Sequence, residues 1–126
     1  MADLIDVKTV ALEGKALAWC VARATGDIEE GETFEQVMKS TRIWWLDYEP
    51  QEDWSHGGRL IEEYGVSIVL KEDGEWWAGI DACTQSMAGM AFRGADEYGS
   101  TPLEAACRAI VASKLGQTVF VPAELL

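Results

Sequence analysis

Apolar residues recur at helical intervals in two segments of the chain. In residues 12–26 (LEGKALAWCVARATG), the apolar positions 17, 20, 21 and 24 follow the i, i+3, i+4, i+7 spacing of one helix face. Gly26 stands where a glycine commonly ends a helix. The pattern predicts a helix that buries one stripe, formed by Leu17, Cys20, Val21 and Ala24.

The second segment, residues 100–116 (STPLEAACRAIVASKLG), opens with a capping box. Thr101 stands at the N-cap, Pro102 at the first helical position and Glu104 at the third. Gly116 closes the predicted helix, and residues 117–126 (QTVFVPAELL) then predict a short edge strand. The stripe that we expect in the core consists of Leu103, Ala106, Cys107, Ile110 and Val111.

Three segments in the middle of the chain predict strands. Residues 37–48 (VMKSTRIWWLDY) are rich in β-branched and aromatic side chains and contain neither proline nor glycine. Residues 66–70 (VSIVL) and 75–81 (EWWAGID) flank Asp73-Gly74, which is a strong hairpin signal. We expect these two strands to pair antiparallel, with Trp76, Ala78 and Ile80 on one face and Trp77 and Gly79 on the other.

Two further segments have weak periodicity. Residues 27–35 (DIEEGETFE) are acidic around a central glycine, which predicts a solvated loop or turn. Residues 82–99 (ACTQSMAGMAFRGADEYG) leave two alternatives open, a short strand near residues 87–92 or a mobile loop.

Residues 48–65 (YEPQEDWSHGGRLIEEYG) bring together acids, a tryptophan, the only histidine and a glycine pair. Because this segment joins two predicted strands, it has to cross the sheet, and a short helix would allow it to do so. The predicted structural motif consists of Asp53 as the N-cap, Trp54 as a core plug, Gly57 and Gly58 as close-packing or turn positions, and Ile61 and Tyr64 as a buried stripe.

Together these elements predict a single α+β domain over residues 1–126. It would consist of a small antiparallel sheet of three to four strands with helices packed on it, on one face or, as an α/β/α sandwich, on both. A chain of 126 residues that is 48% hydrophobic can bury such a core without disulfides or metals.

The net charge limits the choice of partners. The chain has 22 acidic and 10 basic residues, a formal net charge of −12. Phosphate backbones and anionic membranes should therefore repel it, and we expect it to bind neither directly. Two interpretations of the acidity stay open: a surface that only keeps the protein soluble, or one that docks on a basic partner.

The three cysteines, Cys20, Cys83 and Cys107, are odd in number and widely spaced. This spacing suits neither a disulfide framework nor a metal site, so we predict a reducing cytoplasmic location and no metal or cofactor. The sequence also has no run of about 18 consecutive apolar residues, which a membrane helix would need.

The sequence supplies few parts for catalysis. Two of the cysteines lie on predicted core stripes, so only Cys83 would be left to pair with His56 as a nucleophile. Common hydrolase, metalloprotease and nucleotide-binding motifs do not occur. We therefore predict that the protein is not an enzyme and has no catalytic residues. Nothing singles out a pair for glycoside chemistry or a cation site among the central acids Asp47, Glu49, Glu52 and Asp53.

Four segments carry a resemblance to a known family: LEGKALAWCVARATG, YEPQEDWSHGGRLIEEYGVSI, DGEWWAGI, and STPLEAACRAIVASKLG followed by VPAEL. They resemble the NinX-like proteins of tailed phages and, more distantly, the phage ABA-sandwich domain, whereas residues 27–45 and 82–97 have no counterpart. Arg59 stands where that family usually has proline, so the short helix has two possible starts, at Asp53 or after the glycine pair. The resemblance implies an α/β sandwich encoded by a phage or prophage, in a family without an established activity.

The six tryptophans include two adjacent pairs. Since neighbours in a strand face opposite ways, either helices cover both faces of the sheet or some aromatic rings are exposed. Exposed rings beside acids would suit a protein partner.

We expect the chain to be an acidic phage accessory protein that binds a host protein. The partner could be a protein with a basic nucleic-acid-binding surface, and the chain would act on it as an anti-defence (anti-CRISPR-type) inhibitor or modulator. The alternative is a binder that sequesters a nucleotide signal by stacking it on tryptophans. The predicted partner-binding residues are Glu30, Glu32, Trp45, Asp47, Glu49, Glu52 and Trp77.

Overall fold

Runs of consecutive helices and consecutive strands, joined in antiparallel sheets, confirm the α+β class. A computed structural model describes residues 4–29, 31–80 and 95–126, and for residues 40–46 the helical backbone alone. Short 3₁₀ turns follow the first and last strands. In chain order the elements are β1 (Leu4–Lys8), α1 (Gly14–Thr25), α2 (Phe34–Asp47), α3 (Trp54–Tyr64), β2 (Val66–Leu70), β3 (Trp76–Ile80), β4 (Ala95–Gly99), α4 (Pro102–Leu115) and β5 (Thr118–Pro122).

The larger sheet has three antiparallel strands in the order β2-β3-β4. The predicted hairpin of β2 and β3 is confirmed, with Val66 opposite Ile80 and Leu70 opposite Trp76. Gly74 has a φ of +88°, a left-handed conformation that favours glycine at this position of the turn. Strand β4 forms the end of the segment whose structure the sequence left open, while the alternative strand near residues 87–92 lies outside the described residues.

Helix α4 covers one face of this sheet, which we call the inner face. Ala78 and Ile80 of β3 are buried there together with Ala105, Ala109 and Ile110 of α4. These small side chains let the helix backbone lie close to the sheet, so that the two layers pack without a gap. Larger residues of this face, such as Ile68 and Trp76, are only partly buried and pack around the small-residue centre.

The predicted start of α4 is confirmed. The Thr101 Oγ1 accepts a hydrogen bond from the backbone N–H of Glu104 at 3.1 Å, and Pro102 occupies the first turn. The carboxylate of Glu104 accepts the N–H of Ser100 at 2.9 Å, one residue earlier than in the usual capping box. Two otherwise unpaired N–H groups at this end are thus satisfied by side chains.

The predicted cap of α3 is also confirmed. The Asp53 Oδ1 accepts the backbone N–H of Ser55 at 2.9 Å, so the helix begins before the glycine pair. Ile61 and Tyr64 pack against the inner-face core, as expected. Trp54 is not a core plug: although it lies on the same side of the helix as Ile61, it is 57% exposed and its ring lies beside Gly58.

The glycine pair of α3 has two different roles. A methyl group on Gly57 would overlap the carbonyl oxygen of Pro50 and lie 2.8 Å from Cδ2 of Leu103. At Gly58 the nearest atom would be Cε3 of Trp54, at 3.5 Å, which is ordinary contact. Close packing is therefore confirmed at Gly57 and does not hold at Gly58.

Strand β5 is confirmed as a strand, but it does not extend the larger sheet. It pairs antiparallel with β1, where Leu4 lies opposite Pro122 and Lys8 opposite Thr118. A hydrogen bond next to this two-stranded sheet also links the two ends of the chain: the Thr9 hydroxyl donates to the Gly116 carbonyl at 2.6 Å. Local sequence patterns could not reveal β1, because its pairing partner lies at the other end of the chain.

Helix α1 ends at Thr25, with Gly26 in the left-handed conformation at φ +89°, as predicted. The prediction of one buried stripe is wrong, because α4, β5 and the segment after α1 surround the helix on several sides. Its buried residues are Ala16, Leu17, Ala18, Trp19, Cys20, Val21, Ala22 and Ala24.

The predicted strand at residues 37–48 is wrong, since this part of the chain belongs to helix α2. A reciprocal capping box decides the structure: the Thr33 hydroxyl accepts the Gln36 N–H at 3.1 Å, and the Gln36 side chain accepts the Thr33 N–H at 2.9 Å. The adjacent tryptophans 44 and 45 are therefore helical neighbours and do not alternate across a sheet. The apolar residues that pack from the start of α2 against the core with α1 are Phe34, Val37 and Met38.

The acidic segment before α2 has no helix or strand in its described residues, 26–29 and 31–33. It is not solvated throughout, because Ile28 is only 2% exposed and its N–H donates to the Ala22 carbonyl at 3.1 Å. This one apolar side chain anchors the segment to the end of α1.

Candidate functional site

The outer face of the three-stranded sheet, opposite α4, carries a row of large apolar side chains. Val69, Trp77 and Tyr98 lie side by side on β2, β3 and β4 in the strand register. Val69 is 52% exposed and Tyr98 is 38% exposed, while Trp77 is half-buried. The alternation of β3 thus places Trp77 away from the core, as the sequence predicts.

Two neighbours fix the orientation of the Trp77 ring. The indole lies over Gly79, where any side chain would overlap it. The indole Nε1 donates a hydrogen bond to Oδ2 of Asp96 at 3.1 Å, on the adjacent strand. The ring therefore lies flat along the sheet with its polar edge paired and one face directed outward, an arrangement that costs little entropy when a partner binds.

Lys71 lies at the edge of this row and its charge is largely compensated. Its Nζ lies 4.6 Å from the centroid of the Tyr98 ring, which is a cation–π contact. The same ammonium lies 3.6 Å from Asp73 and 3.7 Å from Glu75. The Glu75 backbone N–H lowers the pKa of Asp73 below its ordinary value, with a smaller contribution from Lys71.

Exposed acids surround the aromatic row. Glu72, Asp73 and Glu75 lie in the hairpin turn, and Asp96 lies on β4. We call the surface made of Val69, Lys71, Trp77, Asp96 and Tyr98 the outer sheet face. It has an apolar centre and a polar, mostly acidic rim, which is the usual anatomy of a protein-binding surface.

The sequence identified Trp77 on this surface and missed its neighbours. Val69 and Tyr98 become part of one row only through the pairing of three strands, and β4 lacks any strong strand pattern. The Asp73-Gly74 turn and the alternation along β2 were the signals that could have placed Val69 beside Trp77.

The predicted partner-binding acids are placed elsewhere. Asp47, Glu49 and Glu52 lie near Lys15 of α1, whose Nζ donates to the Tyr48 carbonyl at 2.9 Å. Burial lowers the pKa of Lys15 below its ordinary value of 10.5, and the attraction of the three acids opposes this shift. These acids therefore form an acidic region around a structural lysine, at a different place from the outer sheet face.

Glu32 is the remaining predicted partner-binding acid whose side chain is described, and it belongs to neither group. Glu32 accepts the backbone N–H of Glu29 at 2.7 Å, in the segment before α2. Glu30 and the side chain of Trp45 lie outside the described residues. The prediction that these acids contact a partner stays a prediction.

His56 stabilises the crossing between α2 and α3. Its Nδ1 accepts the backbone N–H of Glu49 at 3.2 Å and lies 3.8 Å from Asp53, and its ring lies 5.4 Å from that of Tyr48. Gln51 extends the crossing by donating to the Gly14 carbonyl at 3.0 Å. His56 and Gln51 thus both link this segment to its surroundings, although the Gln51 Oε1 is buried without a hydrogen-bond partner among the described residues.

The described thiols are not activated. Burial raises the pKa of Cys20 to about 12, with Arg23 opposing the shift, and burial raises the pKa of Cys107 as well. Both stay protonated at neutral pH, whereas the nucleophilic form of cysteine is the thiolate. Cys83, the one cysteine that the sequence left available to pair with His56, lies outside the described residues.

Two features of the described ranges bear on metals and membranes. Among these residues no three histidines, cysteines or acids are grouped so that they could hold a metal ion. None of the helices in those ranges has the length and apolar character that crossing a bilayer requires.

The fold and the outer sheet face describe a small acidic α+β protein with one open aromatic sheet surface. The chain belongs to the phage family described as Bacteriophage P22, NinX, whose sequence model matches residues 8–114. This match confirms the resemblance found in the sequence. No curated protein matches the chain. Because the family description names a phage and no activity, a function has to be argued from the surface.

Proposed function

We propose that this protein acts without catalysis by binding a host protein, and that it inhibits or modulates a bacterial defence component in the manner of an anti-CRISPR protein. The observation that carries the proposal is the exposed aromatic row of the outer sheet face, Val69, Trp77 and Tyr98. Family membership supports the phage context of this proposal.

The composition of the row is typical of binding hot spots. Tryptophan and tyrosine are enriched among the few residues that dominate protein–protein affinity, because each supplies a large rigid contact area. Trp77 is held in place by Asp96, so little side-chain freedom remains to be lost on binding. A partner that covers this row would bury apolar surface that the fold itself leaves in water.

Charge favours a partner with a basic surface. Exposed acids of the hairpin turn and β4 border the row, and the whole chain has a net charge of −12. A field of this sign accelerates association with a basic protein surface and repels nucleic acid. A nucleic-acid-binding surface of a defence complex has the required charge, and the acidic region of Asp47, Glu49 and Glu52 would add to its attraction.

The alternative, sequestration of a nucleotide signal, has weaker support. Trp77 and Tyr98 offer faces on which a base can stack. The phosphates would need a cation, but Lys71 already lies within 4 Å of Asp73 and Glu75. Acids therefore occupy the place where a nucleotide needs positive charge.

Phage plating tests the proposal in cells. Bacteria that each carry one defence system would express the wild-type chain, Trp77→Ala or Trp54→Ala, and be challenged with a phage that the system restricts. We expect the wild type to restore plating on at least one host and Trp77→Ala to lose this effect. Trp54→Ala is the matched control, because Trp54 is an equally large and 57% exposed residue on α3, away from the sheet. Equal restoration by all three proteins, or none by the wild type, would contradict the proposal.

Calorimetry with the purified defence component then tests the surface directly. Removal of a hot-spot tryptophan should weaken binding by at least about 2 kcal/mol, roughly thirtyfold. Raising the salt from about 0.05 to about 0.3 M should weaken the wild-type complex, since the acidic rim acts through screened charges. If nucleotides raise the melting temperature and no defence component binds, the alternative function is the correct one.

A further inference from the structure

A surface hollow with largely apolar walls lies between the two-stranded sheet and the segment before α2. It has a volume of about 390 Å³ and is lined by Trp19, Phe34, Leu4 and Phe120. Trp19 is buried at its floor, with its ring 6.1 Å from that of Phe34. Leu4 and Phe120 are each 61% exposed. Its size falls within the range of about 300–1,000 Å³ that small-molecule sites occupy.

A smaller hollow adjoins the first. It has a volume of about 190 Å³ and shares Arg23 and Phe120 with it. Cys20 and Leu115 complete its apolar side. The two hollows thus meet at one guanidinium group.

Arg23 is the unusual residue of this site. Its Nε is buried, and within the described part of the chain it has no hydrogen-bond acceptor. Glu32 lines the same hollow, but its carboxylate accepts the N–H of Glu29. Arg108 shows the usual arrangement, since it donates to the carbonyls of Leu12 at 2.9 Å and Tyr98 at 2.8 Å. A buried donor without an acceptor is costly, and the arginine that carries it lines both hollows without an ion-pair partner among the described residues.

We propose that this hollow binds a small organic carboxylate whose body is aromatic or aliphatic. The fork of guanidinium N–H groups matches the two oxygens of a carboxylate, and the apolar walls match a hydrocarbon body. Arg23 is a single cation and shares the hollow with the anionic Glu32, so a monoanion is repelled less than a doubly charged phosphate and fits better. This site is separate from the outer sheet face and does not depend on the function proposed for it.

NMR titration of the ¹⁵N-labelled protein tests the site with 4-phenylbutyrate and octanoate as probes. The neutral amides of both acids are the matched ligands. We expect the acids to shift the indole resonance of Trp19 and the backbone resonances of Phe34 and Phe120. The amides should bind at least about tenfold more weakly. If neither acid shifts these resonances at about 10 mM, or if acids and amides bind equally, the proposal is wrong.

Two variants assign the binding to the guanidinium. Arg23→Gln should weaken the binding of 4-phenylbutyrate about tenfold or more, whereas Arg59→Gln, at an exposed arginine of α3, should leave it unchanged. Trp77→Ala should also bind the probe normally, which separates this site from the outer sheet face. Equal binding by wild type and Arg23→Gln would overturn the proposal.

Thermal melting distinguishes a ligand-binding role of Arg23 from a purely structural one. Arg23→Met keeps the length of the side chain and removes the unpaired donor, so its melting temperature without probe should equal or exceed that of the wild type. Saturating 4-phenylbutyrate should raise the melting temperature of the wild type only. A variant that melts well below the wild type would show that Arg23 stabilises the fold, and the binding site would have to be withdrawn.

Discussion

Replacing each glycine of the α3 pair by alanine should change stability in opposite directions. In an isolated helix both substitutions would be favourable, because alanine is about 1 kcal/mol better than glycine at an interior position. The tertiary contacts differ between the two sites. A methyl group on Gly57 would overlap the carbonyl oxygen of Pro50, whereas one on Gly58 would make ordinary contact with Trp54 at 3.5 Å.

The magnitude follows from what can move. The obstacle at Gly57 is backbone, and the Cδ2 of Leu103, from α4, would also lie 2.8 Å away. Overpacking of this kind costs about 1–3 kcal/mol, and a fixed carbonyl places the cost near the upper end. Subtracting the helix preference leaves Gly57→Ala about 2 kcal/mol less stable than the wild type and Gly58→Ala up to about 1 kcal/mol more stable.

Thermal and urea unfolding, followed by far-ultraviolet circular dichroism, measure this difference. In a chain of 126 residues, 1 kcal/mol corresponds to about 4 °C in melting temperature. We expect Gly57→Ala to melt about 8 °C below the wild type and Gly58→Ala up to about 4 °C above it, with an unchanged urea dependence. If Gly57→Ala is as stable as the wild type, or if both variants shift in the same direction, the close crossing of α3 over the Pro50 segment is refuted.

Two further predictions concern buried charge and helix capping. Glu97 is 5% exposed on the inner face, and burial, assisted by Asp96 and opposed by Arg108, raises its pKa above the ordinary 4.5. The native state therefore holds the Glu97 proton to higher pH than the unfolded state does. Because the charged carboxylate destabilises the fold near neutral pH, Glu97→Gln should be more stable than the wild type there. This advantage should disappear as the pH falls through the raised pKa of Glu97 toward 4.5. Urea midpoints at several pH values measure it, and an advantage that grows toward low pH would contradict the assignment. Thr33→Ala should lose about 1 kcal/mol by removing the N-cap of α2, while Lys39→Ala, exposed in the same helix, should change stability little; equal urea midpoints for the two variants would speak against the cap.

The sequence predicted those elements whose determining contacts are local. The caps at Asp53 and Thr101 and the turn at Asp73-Gly74 are each fixed by side chains within four residues, and all three are confirmed. The error at residues 37–48 came from reading β-branched composition in isolation. The Thr33–Gln36 capping box lies just before that stretch and determines its conformation.

Strand pairing was the part that local patterns could not supply. Residues 4–8 pair with residues 118–122, and the link from Thr9 to Gly116 spans 107 positions. The outer sheet face shows the same limit, since alternation placed Trp77 outward but only the register with β4 brings Tyr98 beside it. The sequence could therefore predict one residue of the candidate site, and the fold had to supply its neighbours.

Packing against α4 explains why the aromatic row lies on the outer face. The inner face meets an alanine-rich helix surface, and Gly99 of β4 approaches Ala105 so closely that a methyl group there would lie 2.6 Å from the Ala105 nitrogen. Positions close to the helix backbone, such as Ala78 and Gly99, therefore have to be small, whereas the partly buried Ile68 and Trp76 pack against the same cluster. Trp77 and Tyr98 face the opposite side, where Asp96 and Lys71 hold the two rings in place. Crowding below α4 keeps large rings away from those positions, but it gives no reason for the outer residues being aromatic. Since the fold does not need Trp77 or Tyr98 for its core, a binding role is the better explanation of their presence.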